Sequence, residues 1–316
     1  MKRTIVGFAV VAGLAQLAAS PAQATPNDPD KAVGAELVER SLILASSMQA
    51  ANPARTTFKI DPVKALTAGL ERGKGVNVQA TAKVTYSSGM YATSSLDGTI
   101  EFDARGAAAS DVAHNLRYSK DLLSRMMQAD PAETEILQRS SIRMVSSGDV
   151  SYVSGPVVAE AQPLVLGAPG AATWVRYRGT DVPSGNLLLD VLEPATLETL
   201  LAHRTSVRDG VVKGTIKTIK LAAVSSSYAE RYGSGAKKGR AGKISYTLWI
   251  GPDGLVERLS AKGALPSGKG SVQVESDTRY TDWGRQVAVL PPMEGDVSDK
   301  EQVEKYVPDE VPGIWS

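Results

Sequence analysis

Val76-Asn77-Val78-Gln79-Ala80-Thr81-Ala82-Lys83-Val84-Thr85-Tyr86 alternates apolar and polar residues without a break. A period of two puts Val76, Val78, Ala80, Ala82 and Val84 on one face of an extended chain. That is the pattern of a strand with one side buried. Ser87-Ser88-Gly89 reads as a turn, and Tyr91 to Phe102 as the returning strand, with Asp97-Gly98 as a turn or bulge inside it.

The same signal recurs downstream. Glu135 to Val145 and Val150 to Val153 flank a Ser-Ser-Gly-Asp turn at 146–149 and form a hairpin candidate. Thr173 to Arg178 is a further strand, and Val211 to Leu221 another with imperfect alternation. Ile244 to Ile250, the turn Gly251-Pro252-Asp253-Gly254, Leu255 to Lys262, Val272 to Tyr280 and Val287 to Leu290 make a meander.

Helical patterns are fewer. Val33, Leu37, Ile43, Leu44 and Met48 share a face over 33–51. Pro62 to Leu70 follows Asp61, which suits an N-cap. Val112, Leu116, Ser119, Leu122, Leu123, Met126 and Met127 fall on one side of a helix over 111–129. Glu193-Pro194 to His203 is a short helix. Segments 155–170 and 233–243 read as loops. Many strands at hairpin spacing, without regular β-α-β alternation, predict an α+β fold built on an antiparallel sheet.

The N-terminus carries an export signature. Met1-Lys2-Arg3 is positive, residues 5–19 are apolar or small apart from Gln16, and Ala22-Gln23-Ala24 is a small-x-small cleavage site. The expected organisation is a signal peptide over 1–24, a disordered leader over 25–31, one domain over 32–292 and an acidic tail over 293–316. Cleavage after Ala24 places the protein outside the cytoplasm, secreted or extracytoplasmic. There is no cysteine, which removes disulfides, thiolate chemistry and a lipidated N-terminus alike. Without Lys2 and Arg3, 33 basic residues face 34 acidic ones, so no strong field draws nucleic acid.

No catalytic signature stands out. Only His114 and His203 are present, and Asp111 shares a helical face with His114 in the helix reading. A zinc site needs three or four converging donors. Gly263-Ala264-Leu265-Pro266-Ser267-Gly268-Lys269-Gly270 matches the start of a phosphate loop, but Gly270 stands where a magnesium-holding hydroxyl belongs, and the segment joins two strands. It reads as a hairpin turn. No metal, cofactor or enzymatic activity is expected.

Tyr246-Thr247-Leu248-Trp249-Ile250-Gly251-Pro252-Asp253-Gly254-Leu255-Val256-Glu257-Arg258-Leu259 resembles the Y-x-L-W-I-D-x-D-G-L-x-x-R-L hairpin of bacterial LolA-like lipoproteins, closest to the actinobacterial LppX and LprG type. Thr278 to Val287 resembles that family's Y-x-D-W-G-x-P-V strand end, Pro291-Pro292 its closing prolines, Thr173-Trp174-Val175 its W-V strand and Val212 to Ile216 its G-T-V strand. Gly251 replaces the first acidic residue of the hairpin, and the acylated cysteine of such lipoproteins is missing, which marks a non-acylated member.

The resemblance implies a strongly curved antiparallel half-barrel with helices on its concave face and an apolar cavity between them. It implies a carrier or binder of lipids or other apolar ligands, touching a membrane surface or envelope protein only transiently. Leu116, Leu122, Leu123, Met126, Met127 and Trp174 are the cavity-wall candidates. Patterning does not distinguish lining a cavity from filling a core. The alternatives are a ligand-free interaction or sensor module of the cell envelope and, third, an unrecognised hydrolase.

Overall fold

The structure is a computed structural model that describes residues 58–129, 131–138, 141–155, 173–232, 242–267, 270–303, 307, 308 and 311. The expected signal peptide, leader and helix over 33–51 lie outside the described residues, as do most of the loops at 155–170 and 233–243.

β1 (Lys74–Thr85) follows its sequence pattern. Val76, Val78, Ala80, Ala82 and Val84 are buried, whereas Gln79, Thr81 and Lys83 are exposed. It pairs antiparallel with β2 (Tyr91–Asp103), Val84 opposite Ala92 and Val76 opposite Ile100. The expected interruption at Asp97-Gly98 is absent. Gly98 sits in register between Val78 and Val112. It is glycine because a Cβ there would lie 2.2 Å from the Asp111 carbonyl oxygen.

The largest departure follows. Residues 106–118 form a strand, β3 (Gly106–Tyr118), paired with β2 on one side. The helix expected over 111–129 begins only at Lys120, nine residues late. Val112 and Leu116 fit a helical spacing of four and an extended spacing of two equally well. The buried polar residues Ser110 and His114 hid the extended reading, because they occupy inward positions where apolar residues were sought. As a result Asp111 and His114 lie on opposite faces of β3.

The remaining helices are, in chain order, α1 (Pro62–Gly69), α2 (Lys120–Ala129), α3 (Pro131–Gln138), α4 (Pro194–Ala202), α5 (Thr218–Ala222), α6 (Ser226–Tyr232) and α7 (Lys300–Val303). Asp61 caps α1 as expected, its carboxylate accepting from the Val63 and Lys64 amides. The strand expected from Glu135 is helical to Gln138, and β4 (Ser141–Ser147) starts after it. β4 pairs with β3 and with β5 (Val150–Ser154), and β5 pairs with β6 (Trp174–Arg178).

A second meander runs β7 (Arg204–Arg208), β8 (Val211–Lys217), β9 (Lys243–Ile250), β10 (Val256–Ser267) and β11 (Gly270–Gln286). The imperfect alternation beyond β8 has a simple cause: the chain turns helical at Thr218, leaving Ile219 exposed. The glycine-rich segment 263–270 is a strand end and a hairpin, with Ser267 opposite Gly270. β11 continues past Tyr280 to Gln286, its register against β1 shifting between Thr281 and Arg285, and Val287 to Leu290 is not a strand.

β11 returns to β1, joining the two meanders into one sheet of order β12-β6-β5-β4-β3-β2-β1-β11-β10-β9-β8-β7. β12 (Val297–Asp299) pairs parallel with β6. Thus part of the segment expected as an acidic tail over 293–316 is built into the fold. Val303, Val307 and Val311 are buried with the main core, and the Tyr177 hydroxyl donates to the Pro308 carbonyl at 3.2 Å. The fold is α+β, a strongly curved, unclosed antiparallel sheet with few helices. Its inner face shares one core with Leu66 of α1, Leu197 and Leu200 of α4, Leu221 of α5 and Tyr228 of α6.

Candidate ligand site on the inner face of the sheet

Strand register defines the inner face residue by residue. Val78 stands opposite Tyr280, Ala80 opposite Thr278, Ala82 opposite Ser276 and Val84 opposite Val274. Leu259 and Ala261 of β10 and Leu248 and Tyr246 of β9 extend the same surface. Towards β6 it continues through Leu96, Val112, Met144, Val153 and Val175. The surface is mostly apolar, with hydroxyls at Ser94, Ser110, Ser146, Ser151, Ser276 and Thr278.

A segment without regular structure lies on this surface. Residues 183–192, Pro-Ser-Gly-Asn-Leu-Leu-Leu-Asp-Val-Leu, are all buried. Leu187, Leu188, Leu189, Val191 and Leu192 join the main core. An irregular backbone taken out of water must find partners for its amides and carbonyls. The inner hydroxyls supply several: the Tyr280 hydroxyl donates to the Ser184 carbonyl at 3.1 Å, and Ser276 accepts from the Leu187 amide at 3.2 Å. The Asn186 side chain accepts from the Leu188 and Leu189 amides, folding the segment on itself. From the other side Arg231 and Tyr232 of α6 donate to the Leu187 carbonyl at 3.2 and 2.6 Å.

Two carboxyl groups in this region have opposite environments. Burial pushes the Asp190 carboxyl up to about 6, the charge of Glu193 adding to it, against the Leu192 amide that donates to it at 2.9 Å. Burial also acts on Glu193, but hydrogen bonds from Ser225, Ser227, Ser226 and Thr196 outweigh it and hold that carboxyl below its ordinary value. Glu193 thereby ties the start of α4 to the start of α6.

The cavity-wall candidates are only partly brought together. Leu122 and Met126 of α2 pack with Met90 and Ala92 in a small apolar cluster, flanked by Tyr86 and Tyr118. Leu123 and Met127 are half-buried on the same helix. Leu116 is buried on the inner face of β3, opposite Ser94. Trp174 lies three strands away and on the outer face, with the Arg143 guanidinium 5.7 Å from its ring centre. Sequence reasoning missed residues 183–192. The run Leu187-Leu188-Leu189 has no period, because every side chain of an irregular buried segment faces protein.

The two histidines do not meet. His114 is buried with Nε2 3.2 Å from the Ser94 hydroxyl, and His203 Nδ1 lies 2.9 Å from the Thr199 carbonyl. Among the described residues no three His, Cys, Asp or Glu side chains are grouped to hold a metal ion. No described helix is long and apolar enough to cross a membrane.

No family model and no curated protein matches the chain. Among solved structures it is similar to a LolA superfamily protein from Nitrosomonas europaea, at 8% identity over 72% of this chain and 93% of that one, with a TM-score of 0.25. It is also similar to transferrin binding protein B from serogroup B Neisseria meningitidis, at 8% identity over 70% of this chain and 27% of that one, with a TM-score of 0.17. A third is the Pseudomonas aeruginosa MucA/MucB complex, at 10% identity, 70% and 93% coverage and a TM-score of 0.11. At these scores the superpositions are loose, and the fold described above rests on the chain's own strand register.

Proposed function

We propose that this protein is an extracytoplasmic carrier or binder of lipids or other apolar ligands, held against the inner face of the half-barrel. The observation that carries the reading is the cover over that face. A broad apolar surface is closed, over residues 183–192, by irregular chain and not by a regular helix. The export signature at residues 1–24 and the LolA-like hairpin at 246–259 support the same reading.

Magnitudes make an exchange of cover for ligand feasible. Burying an acyl chain of about 16 carbons contributes about 12 kcal/mol at ~0.8 kcal/mol per methylene. The five apolar side chains of the segment contribute about 8–15 kcal/mol at roughly 1.5–3 kcal/mol each. The terms are of one size, so a ligand takes the place of the segment and binding needs no catalytic group.

The hydrogen bonds that hold the segment favour a second reading, a ligand-free interaction module whose core is permanently filled. Native mass spectrometry of protein purified from its own host separates the two. Co-purifying lipid, or uptake of a fluorescent fatty acid by the stripped protein, supports the carrier. Absence of both sinks it.

A further inference from the structure

The outer face of the sheet carries a second concavity, of about 720 Å³, over the middle of β1, β2, β3, β10 and β11. It is built from two adjacent rungs. In one, Lys262 stands opposite Glu275, Glu275 opposite Lys83, Lys83 opposite Thr93 and Thr93 opposite Arg117. In the next, Ser260 stands opposite Asp277, Asp277 opposite Thr81, Thr81 opposite Ser95 and Ser95 opposite Asn115. All ten side chains line the groove.

Its charges are unevenly satisfied. Lys262 is paired with Glu275 at 2.5 Å, and Asp277 with Arg258 at 2.8 Å. Lys83 and Arg117 are exposed, and neither makes a salt bridge among the described residues. Lys83 lies over the Tyr91 ring, 4.5 Å from its centre, and its charge also acts on the Glu275 carboxyl opposite it. The strands that carry Lys83 and Arg117 have β2 between them, so they run about 10 Å apart, with Thr93 in the middle. Lys83, Arg117 and Lys262 outnumber the two carboxylates that line the groove, Glu275 and Asp277, so the groove attracts an anion, in a low-lying position where water screens less than on a flat face.

The rest of the lining narrows the class of ligand. Thr81, Thr93, Ser95 and Ser260 hydroxyls and the Asn115 amide each donate and accept hydrogen bonds. A ligand that satisfies them must itself carry many groups that do both. The volume falls in the range of small-molecule sites, and a concave surface does not fit a flat membrane. We infer that this groove binds a short acidic oligosaccharide, with Lys83 and Arg117 holding its carboxylates and the hydroxyl rung holding its sugar rings. The site is on the opposite side of the sheet from the proposed apolar ligand and does not depend on it.

The test is titration of the full mature chain with trigalacturonate, followed by calorimetry and by backbone amide NMR shifts. Saturable binding is expected, with shifts centred on the two rungs. Affinity should fall about tenfold in the Lys83→Ala/Arg117→Ala double variant, and severalfold as salt rises from about 50 to about 200 mM. Both side chains are exposed, so an unchanged thermal melt of the variant will show that its fold is intact. Neutral maltotriose should bind at least about tenfold more weakly. The proposal is overturned by no saturable binding, by equal affinity in the double variant, by shifts elsewhere, or by citrate binding as tightly as the saccharide.

Discussion

The Thr278 hydroxyl of β11 accepts a hydrogen bond from the Asn186 amide at 3.1 Å and donates one to the Gly185 carbonyl at 3.2 Å. One oxygen atom thus joins the sheet to the inner segment. Thr278→Val keeps the shape and strands both partners in a buried site. The expected loss is about 1–3 kcal/mol, read as a lower urea midpoint. Hydrogen exchange at Leu188 and Leu189 should quicken, since their amides depend on the Asn186 side chain that Thr278 orients. Unchanged exchange there would mean that the segment is held by its leucines alone.

Asp190 sets a pH dependence. Its folded-state value of about 6 is above the ordinary aspartate value of 3.8, because burial disfavours the charged form. The folded state therefore binds the proton more tightly, and stability falls as pH rises from about 4 to about 6. The difference corresponds to about 3 kcal/mol. Asp190→Asn removes the penalty while its amide oxygen still accepts from the Leu192 amide. Urea titrations across that pH range should show the wild type losing ground to the variant and the gap levelling off above about 6. A constant gap would show that Asp190 does not titrate there.

Leu188 probes the core beneath the segment, being 1% exposed. Leu188→Ala should cost about 2–5 kcal/mol, with the spread set by how far the site collapses. If the carrier reading holds, the same variant takes up a fluorescent fatty acid more tightly than the wild type, since the ligand displaces a weaker cover. Fluorescence titration measures this directly.

Two glycines mark close approaches. A Cβ at Gly185, where φ is +91°, would lie 2.5 Å from a methyl group of Val78. Gly185→Ala should lift residues 183–192 from the sheet and raise the exposure of Tyr280, visible as a change in near-ultraviolet circular dichroism. Gly98→Ala meets backbone instead, at 2.2 Å, and should prevent β2 and β3 from pairing in their register, at a cost above about 4 kcal/mol.

What the sequence disclosed depended on whether one face alone was buried. β1, β5, β6 and the β9–β10 hairpin read true because their outward residues are mostly polar, as with Gln79, Thr81 and Lys83. β3 did not, because His114 and Ser110 point inward, where polar residues break an apolar stripe. Gly98 read as a turn because glycine's two uses, bending a chain and admitting a neighbour, look alike in one dimension. Residues 183–192 gave no pattern, and the outer groove gave none either. Lys83, Thr93 and Arg117 are 10 and 24 residues apart and meet only through strand register.

The seam between β1 and β11 also sets the order of assembly. Val78 and Tyr280 face each other across 202 residues of chain. Each meander can zip from its own local hairpins, but the join that unites them closes a very long loop. Such contacts slow folding, because chain entropy is lost before they form. A ribosome must release almost the whole polypeptide before Tyr280 exists to meet Val78. The protein therefore stays open, with both meander edges unpaired at the seam, throughout its synthesis. If the export signature at residues 1–24 is used, late closure keeps the chain threadable through a translocation channel.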